Sequence, residues 1–371
     1  MKKLKVFHVV RQFTPSIGGL EDVVYNIAKQ QLLNSNQEPT VITLDRLFKN
    51  NTQRLPAEEI IDGIKVIRLP YSGSSRYPIC FGVLNAIKSA DVVHVHGVDF
   101  FYDFLAITKF IHGKKLVASS HGIFFHTDFA STSKQIFFNT VTRISSLFYN
   151  KIFATSDNDA SLFRKITSSK RVETIENGVD IDKFHLHSRS IISKKIIYFG
   201  RWSVNKGLIQ TIDLFNQLWL TDSEWELCIA GREYDLTENL LNEKIATLQC
   251  ANNVKLCPNP SVTELRDLVH QNSYFICLSR HEGFGLAAIE AMSGALTPLL
   301  SDIPPFSKLV KSTDFGLVLS KSNELNVSTI SKLHQELLGQ ELDYSQRLVK
   351  STASYSWDFV AKRYIDFYAY I

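Results

Sequence analysis

The sequence predicts an α/β protein built as two doubly wound parallel-sheet halves with a cleft between them. Three observations predict it. Short apolar runs alternate with amphipathic helical stretches along most of the chain. Glycine-bearing loops lead from a strand into a helix at three places: Gly18-Gly19, Gly200 to Gly207, and Gly283 to Gly285. The chain has 371 residues, enough for two separate cores.

The first half opens with a strand over 5–10, Lys-Val-Phe-His-Val-Val. A loop then ends in Gly18-Gly19. The following helix carries Leu20, Val23, Val24, Ile27 and Ala28 on one face. Further strands are expected at 40–44, 64–69, 91–96, 116–120, 152–155 and 172–175. Ligands of such sheets collect at the carboxyl ends of the strands. The Gly18-Gly19 loop, His94, His96 and His121 fall at or near those ends. One glycine pair is not GxGxxG, so the dinucleotide fingerprint is absent.

A linker is expected over 185–195, and a second half then repeats the plan. Its strands are placed at 196–199, 227–230, 254–256, 274–278 and 296–300, the last made uncomfortable by Pro298. The domain boundaries follow as 1–186, 187–355, and a C-terminal helix over 356–371, dense in aromatics, that packs back toward the first half.

Composition narrows the function. Hydrophobic content of 44% and charged content of 21% fit a globular protein. A net charge of +4 is too mild to argue for nucleic acid as partner, and is compatible with anionic small molecules or an anionic membrane face. Five scattered cysteines without a CxxC pair read as reduced thiols. The N-terminal apolar run is too short for a signal peptide, and no stretch suits a transmembrane helix. A cytoplasmic protein with at most peripheral membrane contact is expected.

The chemistry centres on Ser279 to Met292. Gly283 and Gly285 allow a sharp turn between a buried strand and a helix whose first amides are free to hold anions or hydroxyl oxygens. Glu282 lies in the turn, and Glu290 lies inside the helix among Ala287, Ala288, Ile289, Ala291 and Met292. A buried carboxylate needs a partner. Glu290 either pairs with a protein group or accepts hydroxyls of a ligand diol. Arg201 and Lys206, in the loop expected after strand 196–199, suit a diphosphate: one offers a planar fork, the other a point charge.

His94, His96, His121 and His126 raise the question of zinc, since His94 and His96 share a strand face. No cysteine or carboxylate joins them at a recognised spacing. Asp157-Asn-Asp159 and Asp180-Ile-Asp182 formally read DxD, a triplet that arises easily by chance. Aromatic and basic residues mix at 100–105, 109–115 and 124–126, a blend that suits a membrane interface or a core helix with solvated lysines.

Gly200-Arg201, Lys206-Gly207, Glu282-Gly-Phe-Gly-Leu286 and Glu290-Ala-Met292 together resemble the donor site of the retaining GT-B glycosyltransferases of family 4. Asn177-Gly-Val-Asp180 and Gly18-Gly19 also match. The resemblance spans the whole chain and implies two Rossmann-like domains. Val10 to Phe13, Ser74 to Pro78, Asp99 to Asp103, Trp202 to Lys206, Gly231 to Asp235 and Cys277 to His281 resemble one subgroup of that family. Its members move mannose from GDP-mannose to cellobiosyl-diphospho-polyprenol during exopolysaccharide assembly.

By that resemblance Arg201, Lys206 and the amides after Gly19 hold the departing diphosphate without a metal or other cofactor. Glu290 takes the ribose diol. Glu282 and the amides of Gly283, Phe284, Gly285 and Leu286 hold sugar hydroxyls. His121 reaches the donor sugar. The implied partners are a nucleotide-sugar donor, a polyprenyl-diphosphate-linked glycan acceptor and the anionic inner face of the cytoplasmic membrane, with no nucleic acid. Rival readings are a family 4 transferase of other specificity, a non-hydrolysing sugar-nucleotide 2-epimerase and a non-catalytic nucleotide-sugar sensor.

Overall fold

Runs rich in valine and isoleucine are apolar on both faces, so they can rest only inside a sheet covered on both sides. The computed structural model shows this arrangement twice. It describes residues 3–34, 36–75, 77–122, 135–186 and 188–371. The chain divides into two units, Val179–Ser356 and the remainder, Met1–Gly178 with Trp357–Ile371.

The first unit holds an eight-stranded sheet. Its order is Val172–Thr174, Lys151–Ala154, Lys115–Ser119, Val92–His96, Leu4–Val9, Gln37–Leu44, Ile64–Leu69 and Glu58–Ile61. All neighbours are parallel except the last pair, which forms an antiparallel edge. That edge strand is only four residues long, Glu-Glu-Ile-Ile, alternately exposed and half-buried, so it offers no apolar run that reads as core. Chain order reverses beside Leu4–Val9, which pairs with both Gln37–Leu44 and Val92–His96. Ligands of open α/β sheets gather at such a point.

The terminal helix Trp357–Tyr370 belongs to this unit. Its Val360, Tyr364 and Tyr368 are buried against Val6, Val92, Val117 and Phe153. Trp357 lies so close to Gly178 that a Cβ there would come within 2.5 Å of the ring.

The second unit has a six-stranded parallel sheet in the order Val254–Pro258, Glu226–Glu233, Lys195–Trp202, Tyr274–Cys277, Thr297–Ser301 and Leu317–Leu319. Pro298 does sit within a strand, opposite Phe275. The unit begins at Val179 rather than at 187, because Phe184 is fully buried in its core and packs edge-on against Phe199. The expected linker is also anchored. Arg189 is buried, and its guanidinium donates to the carbonyls of Val269, His270, Gly294 and Ala295. It thus caps the ends of helices Val262–Gln271 and Leu286–Ser293 with positive charge. The five cysteines are free thiols.

Candidate active site

In the second unit the residues singled out from the sequence converge at the carboxyl ends of adjacent strands. Strand Lys195–Trp202 runs past Phe199, so Arg201 lies on the strand's end and not in the loop. The extension is possible because Gly200 and Gly231 face each other, both at φ 148°. A Cβ on Gly231 would sit 1.8 Å from the Gly200 carbonyl oxygen. The Arg201 guanidinium stands over the Tyr234 ring at 5.4 Å. The Tyr198 hydroxyl donates to the Arg201 carbonyl at 2.7 Å.

The chain then tightens into a 3-10 turn, Val204–Lys206. Asp235 holds its start, accepting from the Val204 amide and the Ser203 hydroxyl. Gly207, at φ 69°, lets the turn press against the next strand, since a Cβ there would meet the Leu278 carbonyl oxygen at 2.1 Å. Two further bonds join the two loops. The Asn205 amide side chain donates to the His281 carbonyl at 2.9 Å, and the Arg280 amide donates to the Asn205 carbonyl at 2.8 Å.

This closure brings Lys206 Nζ to 2.5 Å from Glu282 Oε1. The same oxygen accepts from the Ser279 hydroxyl at 2.6 Å. Glu282 Oε2 has no hydrogen-bond partner among the described residues. Helix Leu286–Ser293 starts at Gly285, at φ 86°, with no side-chain cap, so its first amides remain available. Glu290 does have the protein partner that the sequence left open. Lys183 Nζ donates to it at 3.0 Å. Burial pushes the Glu290 carboxyl up, and the Lys183 ammonium pulls it back.

In the first unit, Gly18-Gly19 opens helix Gly19–Asn34 as expected from the sequence. Glu21 folds back there: its carboxylate lies against Gly18 and accepts from the Ser16 hydroxyl at 2.8 Å. His121 follows strand Lys115–Ser119 at φ 50°, a left-handed conformation unusual outside glycine. Asp159 secures that turn, accepting from the Ser120 hydroxyl at 2.6 Å and the Gly122 amide at 3.1 Å. Asp159 is therefore a turn anchor. In the other DxD triplet Asp180 accepts from the Asp182 amide at 3.2 Å, a local turn.

His94 and His96 share a face, their ring centroids 3.9 Å apart. His8 joins them, and one ligating nitrogen from each lies within 4.8 Å of the others. These nitrogens are taken by hydrogen bonds. His8 meets His96 at 3.0 Å and Gln31 at 2.7 Å. His94 meets Tyr368 at 2.5 Å and Ser119 at 2.8 Å. His126 and the 124–126 aromatics lie outside the described residues. Within 100–105, Phe100, Phe101, Tyr102 and Leu105 are core residues, which takes most of that segment out of any surface.

Family comparison covers both units. Residues 17–183 fit the profile described as Glycosyltransferase Family 4, and residues 189–354 the profile described as Glycosyl transferases group 1. A protein of Xanthomonas oryzae pv. oryzae, named GDP-mannose:cellobiosyl-diphosphopolyprenol alpha-mannosyltransferase, is 48% identical over 98% of this chain and 96% of its own length. The chain belongs to glycosyltransferase family 4.

A relative of the same name from Komagataeibacter xylinus is 38% identical over 98% of this chain and 93% of its own. Among solved structures, a glycosyltransferase from Rickettsia africae aligns with a TM-score of 0.72 at 18% identity, over 100% of this chain and 99% of that one. An Anabaena protein in complex with UDP aligns with a TM-score of 0.73 at 15% identity, over 99% and 100%. These neighbours establish the GT-B fold, with its two Rossmann-like parallel-sheet units. The family 4 chain is thus an enzyme of the glycosyltransferase class. Lys183, which pairs with Glu290, and Ser279, Asn205 and Asp235, which brace the two loops, are given no role by the sequence reading.

Proposed function

We propose that this chain transfers mannose from GDP-mannose to a cellobiosyl-diphosphopolyprenol acceptor in exopolysaccharide assembly, with retention at the anomeric carbon. The observation that carries this reading is the identity to the Xanthomonas and Komagataeibacter relatives, which extends through both units.

Breaking the anomeric bond leaves a diphosphate whose negative charge grows as the sugar departs. Lys206, Arg201 and the amides at the start of helix Leu286–Ser293 supply fixed positive potential for that charge. Glu282 Oε2 accepts a sugar hydroxyl while Oε1 stays tied to Lys206 and Ser279. Glu290 takes the ribose diol, and the Lys183 ammonium counters the upward push that burial gives its carboxyl. His121 is read as touching the donor sugar. No step requires a metal ion.

The acceptor carries a polyprenyl chain, so the enzyme must work at a bilayer surface. No helix among the described residues is long and apolar enough to cross one. Peripheral association with the inner face of the cytoplasmic membrane is supported by a patch on the first unit. Phe110 is 82% exposed, and Ile111, Ile144 and Leu147 are more than half exposed. Basic side chains are interleaved with them: Lys109 donates to the Phe148 carbonyl and Arg171 to the Leu147 carbonyl. Apolar side chains among cations suit an anionic lipid surface.

A donor panel with synthetic phytanyl-diphospho-cellobiose tests the reaction. An α-mannosylated product from GDP-mannose alone is expected. Conversion of the sugar nucleotide without acceptor would replace this reading with an epimerase. Co-sedimentation with anionic vesicles, weakened by salt and by Phe110→Ser, tests the membrane contact. Equal recovery with neutral vesicles would remove it.

A further inference from the structure

Five side chains of the first unit form a hydrogen-bonded line whose direction can be read from one end. The Ile365 carbonyl, on the terminal helix, can only accept. The Gln37 atom 2.8 Å from it is therefore its NH2 group. That turns Gln37 Oε1 toward Gln31 Nε2 at 2.9 Å. Gln31 then presents Oε1 to His8 Nε2 at 2.7 Å, so His8 Nε2 carries a proton.

His8 and His96 are fully buried, and burial keeps each imidazole neutral. A neutral His8 protonated at Nε2 has a bare Nδ1. It accepts from His96 Nε2 at 3.0 Å, which leaves His96 Nδ1 bare in turn. His96 Nδ1 lies 2.9 Å from His121 Nε2 and accepts its proton. Every tautomer follows from the one carbonyl. An extra proton on either buried ring would set two N–H groups against each other.

We propose that Gln37, Gln31, His8 and His96 are positioning residues that lock His121 as the Nε2–H tautomer and leave its Nδ1 as a hydrogen-bond acceptor. This rests on the reading of His121 as a group that touches the sugar. It adds the chemical class that His121 reads: a hydroxyl that donates, and not a phosphate oxygen, which a bare imidazole nitrogen repels. The backbone supports the same assignment. Asp159 holds the left-handed turn at His121 through Ser120 and Gly122, so backbone and ring are fixed by separate elements. Among the described residues Nδ1 has no hydrogen-bond partner.

The test is long-range 1H–15N NMR on the full-length protein with 15N-labelled histidine, with His121→Asn used to assign its signals. At pH 7 the wild type should show His121 protonated at Nε2 and bare at Nδ1. Gln31→Met, which removes the acceptor while keeping volume, should give a mixture of His121 tautomers. It should also lower kcat about tenfold with donor KM little changed, the effect of one misdirected hydrogen bond.

A wild-type His121 protonated at Nδ1 or at both nitrogens would overturn the proposal. So would a tautomer that survives Gln31→Met, or metal-shifted nitrogens on His8 and His96. Should the variant fail to fold, the wild-type spectrum still decides. Full turnover in His121→Ala would refute the sugar contact alone, leaving the tautomer assignment to stand or fall by its spectrum.

Discussion

Lys206 and Glu282 meet at 2.5 Å, so the cation assigned to the diphosphate and the carboxylate assigned to the sugar are held by each other. The pairing explains how a flexible lysine is kept in one place at the end of a short turn. It also means that substituting either residue disturbs both ligand groups.

Lys206→Ala is expected to lower kcat by about 10²–10³-fold, the usual loss when one preorganised charge-stabilising group is removed. Steady-state rates with GDP-mannose check it. Near-normal turnover would take Lys206 out of the mechanism.

Two glycines of the site should separate packing from chemistry. Gly207→Ala forces a Cβ to within 2.1 Å of the Leu278 carbonyl oxygen at a left-handed φ of 69°. A loss of about 2–4 kcal/mol in urea unfolding is expected. Gly283 has open space around a built Cβ. Gly283→Ala should change stability by less than about 0.5 kcal/mol, while weakening donor binding measured by titration calorimetry.

Stability should fall on acidification before carboxylates protonate. Burial lowers His8 to about 4 and holds His94 and His96 well below their ordinary value. In the unfolded chain each titrates at about 6.5. Above that pH both states are neutral, and these groups add no pH dependence. Between about 6.5 and 4 the unfolded chain binds protons that the native chain refuses. Stability then drops by roughly 1.4 kcal/mol per pH unit for each such histidine. Urea midpoints at pH 7.5, 6 and 5 measure the slope. A flat profile would show that the imidazoles are not held neutral.

Chelation gives the fourth expectation. If basic side chains and helix amides stabilise the leaving diphosphate, EDTA leaves turnover within about twofold, since no counter-charge has to be imported. Activity abolished by EDTA and restored by magnesium would require another account of the site.

Much of this architecture was legible because its signals are local. A buried parallel strand announces itself as an apolar run, and a strand–glycine–helix turn such as 274–292 can be read without its neighbours. Lys206 and Glu282 were found for that reason, each from its own loop. What escaped was long-range or borrowed. Arg189 sits in a polar stretch that reads as a linker, because its four carbonyl partners lie some 80 or more residues onward. Arg201 was misplaced by two residues of strand that only the facing Gly231 makes possible. Gln31 belongs to no motif, and nothing nearby in sequence points to its partner His8. The edge strand Glu58–Ile61 is held by pairing with Ile64–Leu69, and not by a core of its own.

The terminal helix reverses the order in which the molecule can be finished. Ribosomes deliver residues 179–356 ahead of 357–371, so the second unit can mature while the first still lacks its last wall. Until Tyr368 arrives, His94 lacks the hydroxyl that meets its Nδ1. The unit that is begun first is completed last.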